Sequence, residues 1–578
     1  MTQDQGEKSK VIINEDTYKD IVTNELERIG TGGIFVWSLF LICVLPNILN
    51  GFHVNSYTML GYLPTDQWCE VDELQSANWT EEQKRSIVHK DLNSKGCTVW
   101  DWDYRELSKM SYEEAYNYTA TMSEISLPTE ISCKAKGSYQ YSSPDGTFVA
   151  DWELVCDRAI QRTSAQVFVS LGKFFGSFSF GMMSDRFGRK TAFTLGAVFF
   201  MVSSIFCTFS PWYSLFLVGR FGLGSASSGL FYPAYAMLME NICLKHRSWM
   251  SLVFSGSYPI GMMIMALASY LIGEHWRYLQ LSLTVPAMLL ILNCYMMSES
   301  PRWLLTQKRY DRAYQIVFKQ PSHYEIEKPA IDSTILSDKK IEEELTVSKW
   351  QQLREGPLKH IIELFATSKV RKLIFTSYFM FCVTSLSYYV TALNASNMDV
   401  SRHLYVAITG LVDLPSLILP VIMLRYTGRR ITTMSLFILT GIALITVMFV
   451  PQDNSLWIFA FAMLGRFGIS ATYSVVTLYT AELYPTEIRG SALGTCSTWA
   501  HVGSISAPYA VDLLGPLGWY IPTTICGCCV LVAGLLTMTL PETGTGKLVD
   551  RVEEVPSESN TTDSTESEEV NKTKNSVQ

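Results

Sequence analysis

Apolar residues gather along this chain into stretches near residues 34–57, 164–183, 191–209, 212–236, 250–272, 277–297, 373–393, 403–424, 431–450, 456–478, 491–513 and 518–540. Each has about the 20 residues that a helix needs to cross roughly 30 Å of hydrocarbon. The pattern predicts an all-α integral membrane protein with about twelve spans, six on each side of a central polar loop. The order is a polar N-terminal segment (1–32), span one (33–60), a long polar segment (61–163), spans two to six (164–298), a charged loop (299–371), spans seven to twelve (372–540) and a polar tail (541–578). The overall 48% hydrophobic content would suit a large soluble enzyme and conceals this clustering.

Charge orients the spans. The short loops after spans two, four, eight and ten carry Arg186, Arg189, Lys190, Lys245, Arg247, Arg425, Arg429, Arg430 and Arg489, whereas the alternate short loops hold only Arg277 and Arg402. Basic loops stay in the cytoplasm, so both termini are expected there. The first thirty residues lack the apolar core of a signal peptide, and span one is expected to act as its own insertion signal. The net charge of −8 comes largely from the segment after span one and from the tail, and gives no reason to expect a nucleic-acid partner.

By the same argument the segment 61–163 is extracellular. It contains Cys69, Cys97, Cys133 and Cys156, which in an oxidising compartment can pair in three ways. The sequons at Asn78 and Asn117 fall in the same segment and predict a glycosylated surface. Other cysteines, among them Cys207, Cys382, Cys526, Cys528 and Cys529, lie in apolar runs without metal-site spacing, so no metal is expected. Amphipathic stretches at Asp311–Phe318 and Ile341–Leu353 predict short surface helices in the central loop, read as a solvated linker. The Ser-, Thr- and Glu-rich tail from Glu553 to Gln578 has a disordered composition.

One pattern is written twice. Gly219-Arg220-Phe221-Gly222 is followed by Glu240 and Arg247, and Gly465-Arg466-Phe467-Gly468 by Glu482 and Arg489; the basic turns Gly188-Arg189-Lys190 and Gly428-Arg429-Arg430 repeat as well. Paired repeats of this kind mark secondary transporters, whose site lies between the halves. The copies are unequal, with Arg to Glu spaced by twenty residues in the first and sixteen in the second, about one helical turn apart.

Gly181-Met182-Met183-Ser184-Asp185-Arg186-Phe187-Gly188-Arg189-Lys190 resembles the general signature of the major facilitator superfamily. Narrower motifs are Trp152-Glu153-Leu154-Val155-Cys156, Glu299-Ser300-Pro301-Arg302-Trp303-Leu304, Ala481-Glu482-Leu483-Tyr484-Pro485 and Leu540-Pro541-Glu542-Thr543. Together with the long Cys-bearing loop they make the chain similar to the organic ion transporters of that superfamily, the group of organic cation, organic anion and carnitine transporters. Ala507-Pro508-Tyr509-Ala510-Val511-Asp512 is most similar to the carnitine-type branch. The resemblance implies a plasma-membrane carrier working by alternating access, with Gly181, Asp185, Arg186, Gly188, Arg189, Lys190, Arg220, Glu240, Arg247, Glu482 and Arg489 as its conformational signature. Arg425 stands where the family has Asp at the second basic turn, which predicts that the second half latches differently.

Charges inside spans mark the candidate site, because each costs about 2.5–3.5 kcal/mol at a helix centre on insertion scales unless paired or hydrated. Asp413 lies fifteen residues before Gly428 of the basic turn, roughly 22 Å along the helix. The resemblance implies that it is a counter-charge for cationic substrate; the alternative is a pair with a neighbouring basic residue. Arg220 and Arg466 occupy matching places, which predicts an architectural role through carboxylates such as Glu240 and Glu482, while the resemblance puts Arg466 near the substrate or ion route. His501 falls where cation transporters carry Asp and where anion and carnitine-type transporters carry Arg. Lys173 interrupts an apolar run without any family motif; it either attracts a carboxylate in the cavity or snorkels or pairs at its wall. Phe231, Tyr388 and Tyr473 are expected to offer ring faces to an ammonium. Val390, where the family has Gly, is expected to narrow the cavity.

The residues therefore predict a carrier of small organic cations or zwitterions, carnitine-like, with a possible coupling ion and the bilayer as its surroundings. An organic anion carrier is the alternative, and a transporter-like receptor or adhesion protein a third reading. With no catalytic constellation and no nucleotide loop, neither an enzyme nor a cofactor is expected.

Overall fold

The computed structural model describes residues 11–64, 67–89, 96–125, 129–142, 146–273, 275–319, 324–326, 365, 368–394, 400–484 and 486–543. Each predicted span is helical: span one Ile34–Val54, two Ala159–Phe187, three Arg189–Phe209, four Tyr213–Asn241, five Leu244–Ile272, six Trp276–Ala287 with Leu289–Met296, seven Ser368–Leu393, eight Arg402–Ser416 with Ile418–Tyr426, nine Arg429–Thr446, ten Ser455–Leu483, eleven Thr486–Leu514 and twelve Ile521–Thr537. Several helices outrun their apolar stretches at the basic-turn side. Hydropathy marks only the part that lies in hydrocarbon, and the helix continues beyond it to present Glu240 and Glu482.

Spans six and eight are each broken. Pro286 and Pro415 stand at the breaks, where a missing N–H and the pyrrolidine ring interrupt the helical ladder. Spans four, eleven and twelve are not among the nine helices, of those described, that are apolar and long enough on their own to cross a bilayer. Span four buries Gly219, Gly222, Gly224, Ser225, Ala226, Ser227, Ser228 and Gly229 against other helices, so lipid does not dictate its composition. A Cβ on Gly172 would stand 2.1 Å from the Phe221 carbonyl oxygen, and one on Gly176 would stand 2.4 Å from that of Ser225. Spans two and four therefore meet backbone to backbone. Lys173, one position beyond Gly172, is turned about 100° away from that contact.

Span two packs on span eleven and span five on span eight, and these two seams join the halves. Lipid-sized apolar side chains such as Phe178, Tyr270, Leu271, Tyr295 and Leu456 remain exposed around the bundle, as a bilayer-facing belt requires.

The segment after span one folds around two short antiparallel strand pairs, Gln67–Val71 with Gly137–Tyr141 and Thr98–Trp100 with Glu130–Ser132. Of the three pairings left open by sequence, the structure has Cys69–Cys133 and Cys97–Cys156. Leu74, Ile87, Val99, Tyr104 and Leu107 form a small buried core. Asn78 and Asn117 are exposed. Trp152 and Phe148 stack with Phe216 of span four and Trp276 of span six, docking this domain on the bundle.

At the opposite face, the helix Glu15–Ile29 lays Tyr18, Val22 and Leu26 against Trp303, Leu304, Ala313, Tyr314 and Val317. The stretch expected as a solvated surface helix at Asp311–Phe318 is a helix, Tyr310–Phe318, but its apolar face is packed rather than free. The expected helix at Ile341–Leu353 and the tail at Glu553–Gln578 lie outside the described residues.

Candidate functional site

Each basic turn is held by a carboxylate from the end of the helix carrying the repeated motif. Arg189 donates to Glu240 at 3.0 Å and stands 3.3 Å from Asp185; Arg429 donates to Glu482 at 3.0 and 3.2 Å. A second carboxylate caps the helix that follows. Glu299 accepts the backbone N–H groups of Arg189 (2.9 Å) and Lys190 (3.1 Å), and Glu542 accepts those of Arg429 (2.7 Å) and Arg430 (3.1 Å). The anionic caps face the positive end of the helix dipole and satisfy N–H groups that have no partner inside the helix. Glu299 and Glu542 are the acids of the Glu-Ser-Pro-Arg and Pro-Glu-Thr motifs.

This arrangement corrects one expectation. Glu240 and Glu482 bind the basic turns, not Arg220 and Arg466. Replacing the family Asp by Arg425 costs the second half only an exposed contact like that of Asp185, whose side chain is 80% exposed. Among the other signature residues, Arg186 is exposed beside Phe187, and Gly181 has open space where a Cβ would stand. A Cβ on Gly188, whose φ is +104°, would strike Glu299. Arg247 and Arg489 are half-buried, each with at least one buried nitrogen lacking a hydrogen-bond partner.

Arg220 and Arg466 lie deeper and differ from each other. Arg466 forms a two-pronged, fully buried pair with Asp413, Nε to Oδ1 at 2.9 Å and a terminal nitrogen to Oδ2 at 2.5 Å. It also donates to the Tyr388 carbonyl oxygen at 2.6 Å and stacks 3.7 Å from the centre of the Tyr388 ring, whose hydroxyl donates to Asp413 at 3.2 Å. Arg220 has neutral partners: the Ser56 hydroxyl at 2.8 Å, Gln166 Oε1 at 3.3 Å and the carbonyl oxygens of Ala165 and His53 at 3.3 and 3.4 Å. Since both Glu residues reach equivalent basic turns, the unequal spacing sets the arginines at different depths. Arg466 is one turn nearer the cavity.

That cavity measures about 300 Å³ and lies between the halves. Lys173 and His501 line it from spans two and eleven, Phe231 from span four, Tyr388 from span seven, Asp413 from span eight and Tyr473 from span ten. Arg466 stands behind Asp413 and is not part of the lining. Val390 is fully buried in the helix core and does not narrow the cavity as expected.

Direct polar contacts between the halves run from the cysteine-bearing side down to the cavity. Asp512 accepts from Tyr57 (2.6 Å), from Thr163 (2.8 Å) and from Arg162, closing span eleven on span two and on the short helix Tyr57–Leu60 that follows span one. Deeper along the same seam, Ser170 donates to the Ser504 carbonyl oxygen at 3.2 Å and Lys173 Nζ to the Tyr389 hydroxyl at 2.9 Å. Nearer the basic turns, neither Gly181 of span two nor Gly494 of span eleven has an atom within 4 Å of where a Cβ would stand. Among the described residues, the polar contacts between the halves lie at the cysteine-bearing side of the seam and at the cavity.

The sequence pattern of the family described as "Sugar (and other) transporter" matches residues 107–553. The chain belongs to that transporter family. Its relatives include an organic cation transporter-like protein of Drosophila melanogaster, 30% identical over 78% of this chain and 81% of the relative. Solute carrier family 22 member 16 of Xenopus laevis is 30% identical over 76% of each chain, and organic anion transporter 3 of Oryctolagus cuniculus is 30% identical over 72% of this chain and 75% of the relative. In fold, the transporter is similar to the inward-open xylose transporter of E. coli, with a TM-score of 0.55 and 15% identity over 90% of this chain and 99% of that one. It is a major facilitator transporter of the solute carrier 22 kind and not an enzyme.

Sequence reasoning about this transporter passed over several cavity residues. Tyr389, Tyr232 and Tyr258 line it, as do Asn47 and Asn50 of span one. The asparagines were visible as polar positions within an apolar run. They also tie helices together, Asn47 donating to the Phe254 carbonyl oxygen at 2.9 Å and Asn50 to that of Ser227 at 3.3 Å. Asp512 carried a quoted motif, but its partners Tyr57 and Arg162 are remote in sequence.

Proposed function

We propose that this transporter carries small organic cations or zwitterions, of the carnitine-like kind, across the plasma membrane by rocking its halves about the central cavity. The supporting observation is that both repeats contribute side chains to one cavity beneath a latched outer seam, the arrangement alternating access requires. The basic turns face the cytoplasm in this reading, together with both termini, and the disulfide-bonded domain faces outward with glycans on Asn78 and Asn117. A desolvated ammonium is held by the ring faces of Phe231, Tyr388 and Tyr473. Asp413 contributes less than a free carboxylate, because both of its oxygens are engaged by Arg466 and Tyr388. The relatives named as organic cation and organic anion transporters support an organic ion as cargo.

Uptake of labelled carnitine, tetraethylammonium and an aromatic carboxylate into cells expressing the full chain tests this reading. Carnitine or tetraethylammonium accumulates above mock-transfected cells if it holds. Accumulation of the aromatic carboxylate alone supports the anion reading, for which the cavity-facing ammonium of Lys173 is the specific argument.

A further inference from the structure

The charges around the cavity are unequal in a way that bears on which end of a substrate the protein grips. Asp413 is the acidic residue in the lining, and it is cancelled by Arg466, with Nε and a terminal nitrogen on its two oxygens. Among the described residues Lys173 has no such partner. The one described hydrogen bond of its ammonium is to the neutral Tyr389 hydroxyl at 2.9 Å, with the Tyr389 ring centre 5.5 Å away. An ammonium has three N–H donors, so two remain for a ligand. Beside it on span eleven, His501 lines the same cavity, and its Nε2 is buried without a hydrogen-bond partner. Lys173 and His501 are the two halves' contributions to one wall, since span two packs on span eleven.

The geometry points to Lys173, supported by the Tyr389 hydroxyl and His501 Nε2, as the anchor for a carboxylate on the transported molecule. A carboxylate there receives charge-assisted hydrogen bonds from Lys173 and fills the donor capacity of His501. The Asp413–Arg466 pair adds no net charge, so Lys173 sets the sign of the cavity lining among the described residues. The cavity therefore selects for a negative end and against molecules that are only cationic. A zwitterion lies across it, with its carboxylate on spans two and eleven and its ammonium toward the rings of Tyr388, Tyr473 and Phe231. This inference rests on the carrier reading and adds to it that the carboxylate is required.

The test measures initial uptake of carnitine, carnitine methyl ester, tetraethylammonium and benzoate by the full-length protein, Lys173→Gln, Lys173→Arg and His501→Gln, with rates scaled to surface-labelled protein. Expected is a preference of wild type for carnitine over its ester of tenfold or more. Lys173→Gln removes most of that preference by lowering carnitine uptake about tenfold while ester or tetraethylammonium uptake stays level or rises, Lys173→Arg restores the larger part, and His501→Gln has an intermediate effect. Equal loss for charged and esterified ligands in Lys173→Gln assigns the residue to packing and overturns the anchor. Carnitine uptake unchanged in Lys173→Gln overturns it too. If tetraethylammonium is carried while carnitine and benzoate are not, the anchor fails and the carrier stands; if none of the four is carried, both fail.

Discussion

Asp413 lines the cavity, and both of its carboxylate oxygens are engaged by Arg466. A carboxylate inside an apolar run must have a partner or water, and that reasoning selected Asp413, Lys173 and His501 along with the aromatic Phe231, Tyr388 and Tyr473. The structure brings all six to one cavity. What sequence did not disclose was how the charges pair, because Arg466 sits fifty-three positions from Asp413 and Glu482 was an equally available acid on its own helix. Asp413→Asn leaves Arg466 buried without a counter-charge, and the loss of stability expected from breaking such a pair is about 3–5 kcal/mol. Removing both charges in Asp413→Asn with Arg466→Gln should cost less than the sum of the single changes. Denaturant unfolding of the four proteins in detergent gives the coupling, and additive effects would contradict the pair.

At the scale of elements, helices were legible because a bilayer imposes length and hydropathy. The breaks were partly legible as Pro286 and Pro415, and the seam not at all, since Tyr57 and the neighbours Arg162 and Thr163 reach Asp512 from two stretches of chain remote from it. Asp512→Asn weakens the latch and should raise the reactivity of a single cysteine at position 170 toward a membrane-impermeant thiol reagent by severalfold; unchanged reactivity would mean that packing alone closes the seam. In the disulfide-bonded domain, burial holds the His89 imidazole below its ordinary pKa of 6.5, with Arg85 lowering it further, and Nε2 accepts the Cys69 backbone N–H at 3.4 Å. The unfolded chain then binds the extra proton, so stability is intact above pH 6.5 and declines as pH falls below it. Amide exchange across Gln67–Val71 should quicken between about pH 7.5 and about pH 5.5 beyond its intrinsic change, and His89→Gln should flatten that response.

As a whole the molecule is two repeats that share the fastenings of their basic turns and differ where they meet the cavity. Each half ties its basic turn with one acid and caps the following helix with another, Glu240 and Glu299 in the first, Glu482 and Glu542 in the second. These ties lie within halves, while among the described residues Asp512, Ser170 and Lys173 reach between them. Ties within each half and contacts between the halves are the parts that the proposed rocking uses, and the central claim is that the transporter moves an organic ion by rocking. Purified protein in liposomes, loaded inside with unlabelled carnitine, tests that claim most directly. Internal carnitine should raise the initial rate of labelled carnitine entry severalfold over unloaded protein-containing liposomes, because a loaded return is faster than an empty one. Entry that is unsaturable, insensitive to internal carnitine and equal to that of protein-free liposomes would contradict it.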